Sequence, residues 1–357
     1  MWFAVKRLFL GSIMIAGASA MLLATDRTRS GIPGMPRIAV LQHASVPVLD
    51  DGVRGMIDGL STKGYRDGET AHITVYNAQG EIATANAIAR EITDGRFDLV
   101  LTSSTPSLQA VANANKAGRT MHVFGIVADP YVAGVGLDRA NPLAHPRHLV
   151  GQGIFFPPSK VFGTARQMWP SLNTVGVAWD PAQANSRRFV EDARVVCKEL
   201  GIELLEAQVE NTAGVREAID SLIGRGVQAV WVGGDITVSN AIDTVIAACR
   251  QARIVVFSQM PGDPERGTIF DIGFDYYQAG RACGELAADI LHGADPAAIP
   301  IGEAGDFVAN RLFLNRKALR GLKDPWRVPD DLLPTADVVV DEEGVLHQRG
   351  KDKTRER

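Results

Sequence analysis

From residue 37 onward the chain alternates short apolar runs with longer stretches of helical period, and this alternation limits the folds open to it. The runs at 38–41, 72–76, 99–101, 123–126, 174–179, 203–207, 229–232, 254–257 and 268–272 are short and largely apolar. They fit parallel strands covered by helices on both faces better than half-exposed strands of alternating polarity. Between them Leu49, Val53, Met56, Ile57 and Leu60 recur at helical spacing, as do Phe189, Ala193, Val196, Cys197 and Leu200. The same period returns in Val215, Ala218, Ile219 and Leu222, and again in Ile242, Val245, Ile246 and Cys249. Strand alternating with helix predicts an α/β protein with parallel, doubly wound sheets.

The rhythm breaks between residues 136 and 160, where four prolines and several glycines leave no sustained helical period. That break reads as a crossing between two Rossmann-like lobes, and a second crossing is expected after Gly273. A multi-strand hinge would then join an N-terminal lobe of residues 37–152 plus about 277–310 to a C-terminal lobe of 153–276 plus about 311–345. A short helix is expected near 315–322, and residues 346–357 read as a charged tail.

Composition narrows the function classes. The net charge is −4 with scattered basic residues, which gives no nucleic-acid footprint. Cys197, Cys249 and Cys283 are odd in number and lack C-x-x-C spacing, so they read as small buried hydrophobes rather than a disulfide frame or zinc site. Lys6 and Arg7 precede an apolar stretch over 8–24 that contains Ala18-Ser19-Ala20, the order of a secretory signal peptide. An uncleaved membrane anchor is the alternative reading of residues 1–24, although the stretch is short for a bilayer span.

In open parallel sheets ligands bind beyond the carboxyl ends of the strands. The polar residues at those ends are Gln42, Gln79, Ser103, Ser104, Thr105, Asp129, Asp235, Ser258 and Gln259, with Asn185 in the turn after the run at 174–179. Pro106 suits a helix's first turn, so Ser104 or Thr105 is the expected N-cap, and the helix end beside it would favour a carboxylate or other small anion. Asp129 and Asp235 would fall on opposite lobes, either able to pair with a ligand ammonium. Structure alone accounts for several of these residues. Asp129 precedes Pro130 in a turn, Asp235 can cap a helix, and Asn185-Ser186 would cap one beginning at Arg187. No G-x-S-x-G, H-E-x-x-H or G-x-x-x-x-G-K-[ST] occurs, so no enzyme is expected and no cofactor is called for.

At these residues the chain resembles the TrpX-like ABC transporter substrate-binding proteins of the type I periplasmic binding fold. The resemblance runs from about Ile38 to Asp341. It is carried by Gly273-Phe274-Asp275-Tyr276-Tyr277-Gln278-Ala279-Gly280-Arg281, Tyr76-Asn77-Ala78-Gln79-Gly80, Thr105-Pro106-Ser107, Ala184-Asn185-Ser186 and Leu314-Asn315-Arg316-Lys317-Ala318. It implies a periplasmic, monomeric, non-enzymatic receptor that closes on a small-molecule solute and delivers it to an ABC permease. A periplasmic sensor domain presenting ligand to a membrane receptor is the alternative. The sequence departs from the family at Ser45-Val46-Pro47, Gly233-Gly234-Asp235-Ile236 and Ser258-Gln259-Met260-Pro261, which implies the same fold with a different ligand. Ser103, Ser104 and Asp235 suit an α-amino acid zwitterion, and a neutral polar metabolite fits as well.

Overall fold

The computed structural model describes residues 34–349; the expected export segment and the end of the charged tail lie outside them. The N-terminal half runs β1 (Arg37–Gln42), α1 (Pro47–Thr62), β2 (His72–Asn77), α2 (Ile82–Ile92), β3 (Leu99–Ser103), α3 (Thr105–Ala114), β4 (Met121–Val127) and β5 (Leu149–Gly153). Next come α4 (Pro158–Met168), β6 (Thr174–Trp179), α5 (Ala184–Leu200), β7 (Glu203–Gln208), α6 (Val215–Gly224) and β8 (Ala229–Val232). They are followed by α7 (Ile236–Asn240), α8 (Ile242–Ala252), β9 (Val255–Ser258), β10 (Phe270–Phe274) and α9 (Tyr276–Leu291). The chain closes with β11 (Gly302–Glu303), β12 (Asn310–Asn315), β13 (Val338–Val340) and β14 (Leu346–Gln348).

These strands form two sheets, ordered β11-β5-β4-β3-β1-β2 and β14-β13-β12-β10-β9-β8-β6-β7. Both contain the doubly wound order 2-1-3-4-5, the second as β7-β6-β8-β9-β10. Strands within these cores pair in parallel, whereas β12 lies antiparallel to β10. The chain moves between the sheets three times, after β5, after β10 and between β11 and β12. The architecture is therefore the two-lobed α/β fold that the alternation predicts.

Helix α9 returns to the first lobe and lies backbone to backbone on α1. A Cβ at Gly280 would stand 2.0 Å from the Gly52 carbonyl oxygen, and one at Gly55 2.1 Å from that of Tyr277. Only glycine permits this approach, which sets the register of the two helices. The second lobe is filled by aromatic rings, with Phe162 edge-on to Trp231 and Phe257, and Phe257 stacked on Phe270. Cys197, Cys249 and Cys283 are all buried, and burial pushes each thiol up to about 12.

The structure corrects the sequence reading in the less regular stretches. Residues 136–160 hold a strand, β5, whose Gly151 and Gly153 erase any alternation; a Cβ at Gly151 would meet the Phe124 carbonyl oxygen at 2.1 Å. Near 315–322 there is only a 3₁₀ turn, Arg316–Leu319, capped by the Asn315 side chain. Residues 346–348 are not tail. They pair with β13 across a turn in which Asp341 accepts the Val345 N–H at 2.7 Å.

Candidate functional site

In each sheet the strand order reverses beside the first core strand, between β1 and β3 and between β6 and β8. Crevices at such points collect ligands because loops on either side diverge. Here the two crevices face each other across a small inner pocket of about 40 Å³. The N-terminal lobe contributes Leu49, Ser104, Thr105 and Ile126, and the C-terminal lobe Asn185, Phe189, Gly234 and Met260, among others. Tyr276, at the start of α9, also borders it.

Two of these residues hold backbone conformations that L-residues rarely adopt. Ser104 sits at φ 120°, ψ 159°, and Ile126 at φ 55° beside a register shift between β4 and β5. Such positions cost about 1–3 kcal/mol each and concentrate at ligand sites. The strain at Ser104 lets its Oγ accept the Ser107 N–H at 3.2 Å, capping α3 as the sequence predicts. The neighbouring Thr105 Oγ1 and the Asn185 Oδ1 across the pocket are both buried without a hydrogen-bond partner. Unpaired buried polar atoms are uncommon, and one from each lobe borders the same cavity.

The remaining expected site residues disperse. Gln42 donates to the Ala44 carbonyl at 2.8 Å and to Asp50 Oδ1 at 2.5 Å, beside a separate shallow hollow. Ser103 Oγ is buried and unpartnered below the pocket, near Gly52. Ser258 Oγ accepts the Met260 N–H at 3.0 Å and borders a second small cavity. Gln259 is buried with its Oε1 unpartnered and borders none of these cavities. Gln79, at φ 56°, lines a much larger outer cleft of about 960 Å³, with Glu81, Lys116, Asp180 and Glu210 on its walls. His43 also reaches this cleft; burial lowers its pKa to about 4, so the ring is neutral at neutral pH.

Both carboxylates assigned to a ligand ammonium are already occupied. Asp129 Oδ2 accepts from Arg139 at 2.5 Å and from Arg188 at 3.1 Å, while Oδ1 takes the Tyr131 N–H. Arg188 belongs to the other lobe, so its pair with Asp129 ties the lobes together, and its guanidinium also lies 4.3 Å from the Phe155 ring. Asp235 accepts the Asp180 N–H and the Ser186 hydroxyl on Oδ2, both at 2.7 Å, and the Val238 N–H on Oδ1, also at 2.7 Å. Burial pushes its pKa up to about 6 against the pull of those donors. It fastens three turns of one lobe and has little capacity left for a ligand. Asn185 and Ser186 do not cap a helix at Arg187. Helix α5 begins at Ala184, and Asn185 Nδ2 donates to the Gly234 carbonyl at 2.5 Å.

Sequence reasoning missed the pocket's apolar wall. Phe189 and Ile126 read as core because they follow core periodicity, and Tyr276 read only as part of a motif. Arg188 carried no signal, since its partner Asp129 lies 59 residues away.

Comparison with known proteins agrees with this geometry. A tyrosine-binding protein of Clostridioides difficile is 25% identical over 316 residues, covering 88% of this chain and 89% of that one. A conserved domain protein from Vibrio cholerae superposes with a TM-score of 0.78 at 28% identity, covering 85% of this chain and 99% of its own. An ABC domain from Streptococcus pneumoniae in complex with L-Trp shares the fold at the same TM-score and 23% identity, covering 86% of this chain and 100% of its own. The family described as ABC transporter substrate binding protein matches residues 37–340, and with two doubly wound lobes around a shared pocket the chain belongs to that family.

Proposed function

We propose that this chain is the exported binding subunit of an ABC importer, closing its lobes on a small polar or amino-acid-like solute and handing it to a membrane permease. One observation carries the reading: the inner pocket takes its walls and its two unpartnered polar atoms from both lobes, so a solute there would hold both at once. A solute that touches both lobes only when they are shut shifts the population toward the closed form. The Asp129–Arg188 pair is the contact such closure would make. The names of the tyrosine-binding and L-Trp-bound relatives support an amino-acid-sized solute. Periplasmic location follows from the role, and the protein works without turnover of its ligand.

The test is to purify the protein without denaturation, release any bound solute for mass spectrometry, and add that solute back during small-angle scattering. The radius of gyration should fall and the melting temperature should rise, since a ligand bound only by the folded form stabilises it. A solute that binds without compaction would remove the hinge-closure mechanism.

A further inference from the structure

The inner pocket has an electrostatic character that narrows its solute. Besides the single-turn α7, four longer helices, α1, α3, α5 and α9, have residues at their N-terminal turns that border it. Each N-terminus carries roughly half a positive charge, so their potentials add at the cavity. No side chain lining the pocket is charged among the described residues. The acids adjacent in sequence to its lining are committed elsewhere. Asp50 accepts from Gln42, Asp129 from two arginines, and Asp235 from three donors of its own lobe. Asp275 caps α9 through the Gln278 N–H at 3.1 Å and pairs with Arg311 at 3.0 Å. Asp271 lies in the neighbouring small cavity, on whose border Val46 and Met260 also stand.

We infer that the inner pocket selects a solute with an apolar body and an acceptor-rich head, carboxylate or carbonyl, that bears no ammonium group. The inference rests on the binding-protein reading above. An ammonium placed here would be stripped of water, would meet the positive ends of four helices, and would find no carboxylate on the pocket's own lining, the unpartnered Asp271 Oδ1 lying in the neighbouring cavity. An oxygen head would be favoured by the same helix ends and by the Thr105 hydroxyl, which is buried and lacks a partner. Asn185 Oδ1 can accept from a hydroxyl or amide group of the solute. A hydrocarbon body would lie against the apolar walls, among them Leu49, Ile126, Phe189 and Met260, and would have to widen the pocket from its present volume of about 40 Å³.

Calorimetry on the full chain with matched pairs tests this: L-leucine against 4-methylpentanoate, and L-phenylalanine against 3-phenylpropanoate. The member lacking the amine should bind at least tenfold more tightly. Equal or tighter binding of the amino acid overturns the inference while leaving the binding-protein reading standing. Loss of that amino-acid binding in Asp271→Asn would place the ammonium partner in the neighbouring cavity, and would equally overturn it. Asn185→Asp puts a carboxylate on the pocket wall and should move preference toward the amino acid; an unchanged ratio counts against the inference. If neither pair binds, the solute released from natively purified protein decides: one without an amine supports the inference, and an α-amino acid overturns it. Should no solute bind or co-purify at all, the binding-protein reading falls and takes the inference with it.

Discussion

The inner pocket and the outer cleft lie between the same two lobes but are built to opposite rules. The pocket is small, uncharged along its lining, bordered by strained backbone at Ser104 and Ile126, and edged by two unpaired polar atoms. The cleft is wide, about 960 Å³, with acids and a lysine on its walls. Exposed charges at a wide mouth are hydrated and screened, so each contributes little to binding. A polar atom buried in the pocket wall, as those of Thr105 and Asn185 are, must find its partner in the solute or go without. Selectivity should therefore reside in the pocket, with the cleft acting as its entrance.

Substitutions can break this contrast. The largest effect should come from Asp235→Ala, which strands the Asp180 N–H, the Ser186 hydroxyl and the Val238 N–H beside the pocket. Leaving buried donors unpaired costs about 1–3 kcal/mol each, so urea unfolding should show a loss of about 3 kcal/mol or more. A stable variant that merely binds more weakly would return Asp235 to the ligand.

Asp271→Asn should alter the pH dependence of stability. Burial raises the Asp271 pKa from 3.8 to about 7, so its contribution to stability is fully present below the lower value and is lost as pH rises through the upper one. The amide does not titrate. Thermal melts should therefore show the variant gaining on the natural protein between about pH 4 and pH 7. A constant difference across that range would contradict the assignment.

Thr105→Val combined with Asn185→Ala should weaken solute binding by about ten- to a hundredfold in calorimetry, on the scale of one or two lost hydrogen bonds. Arg188→Ala removes the cross-lobe partner of Asp129 but leaves Arg139, so affinity should fall by less, about three- to tenfold, chiefly through faster release. Lys116→Ala or Glu210→Gln in the outer cleft should change affinity by less than about threefold. An effect there rivalling that of the pocket pair would invert the comparison.

How far the sequence shows these features depends on how local their causes are. The core strands and helices are legible because each carries its own apolar period. Strand β5 is hidden by two glycines, β12 and β14 by mixed composition, and β13 by its length of only three residues. At the site, the polar strand ends and the Ser104 cap are visible, since they depend on neighbours a few residues away. Whether a polar group remains free for a ligand is not visible. The Asp129 carboxylate is claimed by Arg139 and Arg188, ten and 59 residues distant, and Asp235 by an N–H 55 residues away. Nor does a serine or isoleucine announce a left-handed backbone, so the strain that marks the pocket appears only once the fold is known.

Both lobes are expected to hold the solute in the inner pocket. A crystal structure of the protein purified natively with its own solute tests this most directly. Density is expected between Thr105 and Asn185, enclosed by Ile126, Phe189 and Met260, with the Asp129–Arg188 pair intact. Density confined to the wide outer cleft, with the inner pocket filled by protein side chains, would contradict it.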